Sequence, residues 1–258
     1  MNVIVCVKQI PDPAQPGELD SSTNTLKRDG KLILDESDSY GVEMALQLVD
    51  AAGGGEVGIV SMAPNGEVSG MRTALAMGAA KGVLVSDPAL AGSDALTTAK
   101  VLAAAIKRLG EADIILAATE SSDGYTGTVP EQLAELLGLP SVTFAKSVTV
   151  DGATLKVNRQ TEAGYDEVTC SMPAVVSVTA GVVEPRYPSF KGIMAAKSKP
   201  LETVSATDLG VTPVGWGGAN QQIVDVTQAS KRDAGEVFED DGDAHLKIVA
   251  FLEGLKVI

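Results

Sequence analysis

Two kinds of hydrophobic pattern alternate over the first 140 residues. Residues 3–7, 57–61, 83–86 and 114–118 are apolar or small at almost every consecutive position, as in strands covered on both faces at the centre of a parallel sheet. Val42, Ala45, Leu46 and Val49 fall at helical spacing instead, as do Leu96, Ala99, Leu102 and Ile106, with Ser93 or Asp94 as the N-cap. Val68, Met71 and Leu75 mark a third helix. The alternation predicts an α/β fold with a doubly wound, mostly parallel sheet and right-handed crossovers.

Two departures add detail. Between the first strand and the first helix, residues 12–37 (DPAQPGELDSSTNTLKRDGKLILDES) break every period and read as an inserted loop or hairpin, with a small strand at 32–34. After residue 140 the pattern becomes strands joined by tight turns: 142–150, a turn at Asp151-Gly152, 155–159, a turn at Ala163-Gly164, and 168–171. Residues 174–179 then form another buried strand. A domain is therefore expected over 1–200, followed by a C-terminal arm over 201–258. Within the arm, glycines around Trp216 suggest a mobile linker, EVFEDDGDAH a solvated acidic face, and Leu246, Val249 and Leu252 a short docking helix.

Twenty Lys and Arg against 34 Asp and Glu give a net charge of −14, which argues against nucleic acid as a partner. Cys6 and Cys170 are too few for a disulfide framework and suit a reducing cytoplasm. The N-terminus lacks the features of a signal peptide, and no apolar run approaches the ~20 residues of a membrane helix. The expectation is a bacterial cytoplasmic protein without membrane insertion. His245 is the only histidine, so neither a triad nor a multi-histidine metal site can be built. Glu239, Asp240, Asp241 and Asp243 lack EF-hand spacing. Arg159 and Glu162 read as an exposed ion pair at a hairpin end.

The segment most suited to a nucleotide follows residues 114–118: TESSDGYTGTVPEQLAELLG. Thr128 with Glu131 fits a capping box, Pro130 the first helical turn, Leu133, Leu136 and Leu137 an apolar face, and Gly138 with Pro140 a stop. Amides at such a helix start attract phosphate, and α/β folds keep ligands at the carboxyl ends of their strands. Gly124 and Gly127 permit close approach, and Ser121, Ser122, Thr126 and Thr128 offer hydroxyls. An ordinary strand-to-helix turn fits the same residues. Neither a Walker motif nor a G-x-G-x-x-G fingerprint accompanies them.

Residues 184–200, EPRYPSFKGIMAAKSKP, mix Arg186, Lys191, Lys197 and Lys199 with Tyr187, Phe190, Ile193 and Met194. An aromatic anchor with a basic rim suits partner docking; a loop folded on its own core is the alternative.

Together with VNRQTEAG at 157–164, MPAVVSV at 172–178, VCVKQIPD near the start and RTALAMGA at 72–79, this segment resembles the electron transfer flavoprotein beta subunit family. The resemblance implies a non-enzymatic electron carrier without catalytic residues, half of a heterodimer whose alpha subunit holds FAD. It implies AMP at Ala118, Thr119, Asp123, Gly124, Tyr125, Thr126, Gly127 and Thr128, although Tyr125 and Thr128 stand where the family often has an acidic residue and Gln. Further AMP contacts are implied at Cys6, at Asp35 and Asp38, and at Met62. The acidic segment at 35–38 reads equally well as a helix N-terminus complementing its dipole. Arg186, Tyr187, Phe190, Lys191, Ile193 and Met194 are implied to recognise acyl-CoA dehydrogenases, with a quinone oxidoreductase as acceptor. Two alternatives stand beside this: a bifurcating protein with a second FAD in the nucleotide site, and a stand-alone nucleotide-binding protein of the universal-stress type.

Overall fold

The computed structural model describes residues 1–227, 229, 235–240 and 242–258, which form two compact units, Met1–Ile223 and Val224–Ile258. In chain order the first unit contains β1 (Asn2–Cys6), β2 (Gln9–Pro11), β3 (Leu19–Asp20), β4 (Thr25–Leu26), β5 (Leu32–Leu34) and α1 (Glu36–Ala51). These are followed by β6 (Glu56–Ala63), α2 (Ser69–Met77), β7 (Lys81–Ser86), α3 (Ala95–Leu109), β8 (Ile114–Ala118) and α4 (Val129–Leu137). The rest is β9 (Ser141–Asp151), β10 (Thr154–Thr161), β11 (Gly164–Ser171), β12 (Ala174–Val178), α5 (Phe190–Ala196) and β13 (Leu201–Val204).

One sheet runs in the order β11-β10-β9-β12-β8-β1-β6-β7-β13. Every pairing from β9 to β13 is parallel, and β10 and β11 extend it as an antiparallel meander. The consecutive apolar residues of the central strands have a direct cause: both faces are covered. Val3 and Val5 of β1 join one core with Val42 and Leu48 of α1 and Met71 and Leu75 of α2. Their neighbours Ile4 and Cys6 join the opposite core with Leu102 and Ile106 of α3 and Leu133 of α4. Ile59, Leu75 and Leu116 are fully buried, so truncating any of them to Ala is expected to cost about 2–5 kcal/mol.

The expected insertion is a hairpin: β2 pairs with β5, and β3 with β4 between them. Asp94, rather than Ser93, caps α3, accepting from the Thr97 N–H at 2.8 Å.

Three expectations change. The sheet continues past Pro200, because β13 pairs with β7, and the first unit reaches Ile223 instead of ending at 200. The glycines around Trp216 make a pinned 3-10 turn, not a mobile linker. Gly215 adopts φ 61° there with its N–H on Ser93 Oγ at 2.9 Å, and a Cβ would fall 2.0 Å from the Ala89 carbonyl oxygen. The Trp216 N–H donates to the Ala91 carbonyl at 3.1 Å, and its indole lies over Gly92 where any side chain would collide. Arg159 pairs with Asp166 at 2.7 Å, not with Glu162, because the β10–β11 register sets Arg159 and Asp166 opposite each other.

In the second unit, α6 (Ala244–Gly254) carries Leu246, Val249 and Leu252, and Lys247 Nζ stands 5.5 Å from the Phe238 ring centroid. Asp241 of the acidic run lies outside the described residues. No helix among the described residues is long and apolar enough to cross a membrane.

Candidate functional site

Strand β1 lies between β8 and β6, and the chain fills the β6 side before crossing back to β8. This reversal makes a topological switch point, and the crevice beyond the carboxyl ends of β1 and β8 is where such folds take ligands. Lys8, just past β1, organises it. Its N–H donates to Asp38 Oδ2 at 2.5 Å, its carbonyl accepts from the Asp35 N–H at 3.0 Å, and its Nζ donates to Ser121 Oγ at 3.1 Å and Asp123 Oδ1 at 2.6 Å. Arg28, from the hairpin insertion, donates to the other Asp123 oxygen and to the Gln9 carbonyl.

Asp35 joins helix to loop. It is the N-cap of α1, where Oδ1 accepts from the Ser37 N–H at 3.0 Å while Oδ2 accepts from the Ser122 N–H at 2.8 Å. The carboxylates here differ by environment. Burial pushes the Asp38 carboxyl well up, with the nearby Asp35 charge adding to it against the pull of the Lys8 N–H. Burial pushes Asp123 up as well, but Lys8 and Arg28 together outweigh it and leave that carboxyl below its usual range. Burial, then the Asp38 charge, push the Cys6 thiol up to about 12.

The loop itself is a tight turn, with the Gly124 and Tyr125 N–H groups both donating to the Ser121 carbonyl. Tyr125 at φ 48° and Gly127 at φ 67° occupy the left-handed region, and the Tyr125 ring is exposed. Thr128 stands at the N-cap of α4, but its side chain makes no capping bond and Glu131 Oε2 is buried without a partner. The expected capping box is therefore absent: with ψ near −5° at Thr128, the entry is not the extended one a capping residue adopts. Cys6, Asp35, Asp38, Asp123 and the loop through Thr128 form one neighbourhood with Ala118 and Thr119 at its base. Met62 lies at the end of β6, packed against the α3–α4 core.

Within residues 184–200, Phe190–Ala196 form the short helix α5, with Ser189 as its cap accepting from the Gly192 N–H at 3.0 Å. The helix sits tightly on α2. A Cβ on Gly192 would come 2.4 Å from the Ala76 carbonyl oxygen, Arg72 donates to the Ala196 and Lys199 carbonyls, and Lys199 Nζ donates to the Leu75 and Ala79 carbonyls at 2.8 and 2.7 Å. Arg186 grips Glu43 of α1 through two guanidinium bonds of 2.6 and 3.0 Å. Burial pushes the Glu43 carboxyl up, yet bonds from Arg186 and Gln47 outweigh it and hold it below the usual range. Lys199 is thus an internal tie, whereas Arg186 stays exposed while bound to Glu43, and Lys191 and Lys197 are exposed beside it. Facing outward are Tyr187 at 94% exposure, Phe190 at 81%, Ile193 and Met194.

The model of the electron transfer flavoprotein domain matches residues 23–209. The chain is 36% identical over 264 residues to the electron transfer flavoprotein subunit beta of Mycobacterium leprae, covering 100% of this chain and 99% of that one. The chain belongs to the electron transfer flavoprotein beta subunit family. Its likeness to the subunit beta of Thermoanaerobacterium thermosaccharolyticum is 35% identity over 242 residues, 92% of each chain. The caffeyl-CoA reductase-Etf complex subunit CarD of Acetobacterium woodii is 34% identical over 218 residues, 84% of this chain and 83% of that one. As an electron transfer flavoprotein beta subunit it is an electron carrier protein with an alpha subunit as partner. In this beta subunit, sequence reasoning marked the loop at 118–128 and the segment at 184–200 but missed Lys8 and Arg28 as the cations that hold the loop. Lys8 was visible only as part of the VKQ motif, and nothing in the insertion singled out Arg28.

Proposed function

We propose that this beta subunit works in a heterodimer that carries electrons from flavoprotein dehydrogenases of the acyl-CoA type to a quinone oxidoreductase, binds AMP at residues 118–128 and docks the dehydrogenase through α5. The exposed apolar face of α5, held on a tight seat, carries this reading. A preformed patch with an aromatic at its centre loses little entropy on docking and suits an apolar pocket in the partner.

The switch-point residues fit a nucleotide monophosphate. Lys8 supplies positive charge, the left-handed backbone at Tyr125 and Gly127 opens the main chain toward the ligand, and Thr126 and Thr128 add exposed hydroxyls. In the same reading, the FAD bound by the alpha subunit supplies the one-electron chemistry. This chain's residues position the nucleotide and select the donor, and the scheme assigns no proton transfer to any of them.

A second reading keeps the family and changes the nucleotide, with a second FAD in this site serving bifurcation. Co-expression with the alpha subunit, followed by quantitation of released nucleotides, separates the readings. One FAD and one AMP per heterodimer supports the first, and two FAD the second. A stable flavin-free homodimer that binds ATP would reject both in favour of a universal-stress type protein.

A further inference from the structure

The β3–β4 hairpin pairs only two residues on each side, too few to hold a fixed position without other support. Its return limb is secured through Arg28. The guanidinium bonds to Asp123 and to the Gln9 carbonyl, while the Arg28 carbonyl accepts from Asn65 Nδ2 at 3.0 Å. Arg28 and Asp123 stand 95 residues apart in sequence, so this contact ties the insertion to the loop at the switch point. The Asp123 side chain is only 6% exposed, against 26% for Arg28 and 38% for Lys8, so the two cations cover the carboxylate. Asp123 immediately precedes the turn at Gly124 and Tyr125. Beside the clasp, toward the end of β6, Arg28, Gly30, Pro64, Asn65 and Glu67 line an open depression.

We infer that Arg28 is a positioning residue that clasps the hairpin insertion to the nucleotide loop, and that exchange of the bound adenine nucleotide requires release of Arg28 from Asp123. This rests on the reading of residues 118–128 as a nucleotide site. The clasp is separable from folding. Without Arg28, Asp123 keeps its bond to Lys8 Nζ at 2.6 Å, so no carboxylate is left buried and unpaired. The planar fork of Arg28 reaches an Asp123 oxygen and the Gln9 carbonyl together, which a lysine ammonium does less well.

The test uses the intact heterodimer loaded with radiolabelled AMP and chased with excess unlabelled AMP. Arg28→Ala is expected to speed release by about 10-fold with little change in melting temperature, and Arg28→Lys by less. Asn65→Ala, which loosens the same limb without removing charge, should speed release by about 2–3-fold. Added salt should accelerate release from the unaltered protein more than from Arg28→Ala, because it screens the ion pair. Equal release rates and equal salt responses in the presence of one bound AMP overturn the clasp while leaving the nucleotide reading intact. A heterodimer that holds no nucleotide overturns both. If FAD occupies the site, the chase is run with FAD; faster release from Arg28→Ala then supports the clasp and overturns the assignment of AMP.

Discussion

The loop at 118–128 and the segment at 184–200 are both tied to α1, yet they are built in opposite ways. At the start of α1, Asp35 caps the helix and accepts from the loop, and charge is drawn inward: Asp35, Asp38 and Asp123 are buried or nearly so, each in polar contact. Two turns further on, Glu43 is buried under Arg186, and what is offered outward is apolar: Tyr187, Phe190, Ile193 and Met194. A site for a small anionic ligand needs directed donors and counter-charge held in place. A site for a protein needs dry surface on a firm support. Helix α1 holds the loop through Asp35 and the start of the segment through Arg186, while α2 seats α5, so the two regions should answer to different substitutions.

Phe190→Ala tests that separation with the largest expected effect. Reduction of the heterodimer by the dehydrogenase should fall in kcat/KM by roughly 30-fold or more, equivalent to about 2 kcal/mol or more for a hot-spot side chain, with AMP and FAD content unchanged. An unaltered rate would remove Phe190 as the anchor. Gly192→Ala forces a Cβ to 2.4 Å from the Ala76 carbonyl oxygen. It is expected to displace α5 at a cost of about 1–3 kcal/mol in thermal or denaturant unfolding, with a smaller loss of docking rate. Full docking at unchanged stability would mean that the seat does not position the patch.

Gly127→Ala probes the other region. A side chain at φ 67° costs roughly 1–2 kcal/mol, so AMP retention should fall by a few-fold while the dehydrogenase reaction is unaffected; equal AMP retention would detach this backbone from the ligand. Arg186→Ala should have the smallest effect, about 1 kcal/mol in unfolding, and its pH dependence has a definite sign. The folded Glu43 carboxyl lies below its usual value, so the stabilisation by Arg186 is complete above the unfolded value of about 4.3. It is lost as pH falls through the lower folded value. The gap between the two proteins should therefore be constant near neutrality and close in acid. A gap that widens in acid would contradict the ion pair.

What could be read in the sequence was mostly local. The consecutive apolar strands, a cap at Ser93 or Asp94 and the two hairpins each depend on a few adjacent residues, and all appear in the structure, with Asp94 as the cap and the turns at Gly152-Ala153 and Glu162-Ala163, one residue from the expected Asp151-Gly152 and Ala163-Gly164. The ties that fix both sites depend on distant ones. Lys8 and Asp123 are 115 residues apart, and Arg186 and Glu43 are 143 apart, separations at which no periodicity carries a signal. Composition misled in one place, since Gly215 and its neighbours looked like a flexible linker when close packing against Ala89 and Trp216 on Gly92 requires them. Spacing misled in another: Thr128 and Glu131 fit a capping box that the backbone at Thr128 does not form. The four positive charges at 184–200 looked alike, and only the fold separates Arg186 and Lys199, which hold the segment to α1 and α2, from Lys191 and Lys197.

The switch-point sheet also sets an order of events during synthesis. Strand β1 emerges first but acquires its β8 neighbour only after both β6 and β7 have been made, and parallel pairings of this span form slowly because a long loop must close before any contact rewards it. At ribosomal speeds of about 5–20 residues per second, Lys8 waits roughly 6–23 seconds for Asp123, 115 residues later, to be made. No chain shorter than about half of the full length can hold the completed loop, so a ligand seated there cannot serve as a template for the pairing of β1 with β6 and of β6 with β7.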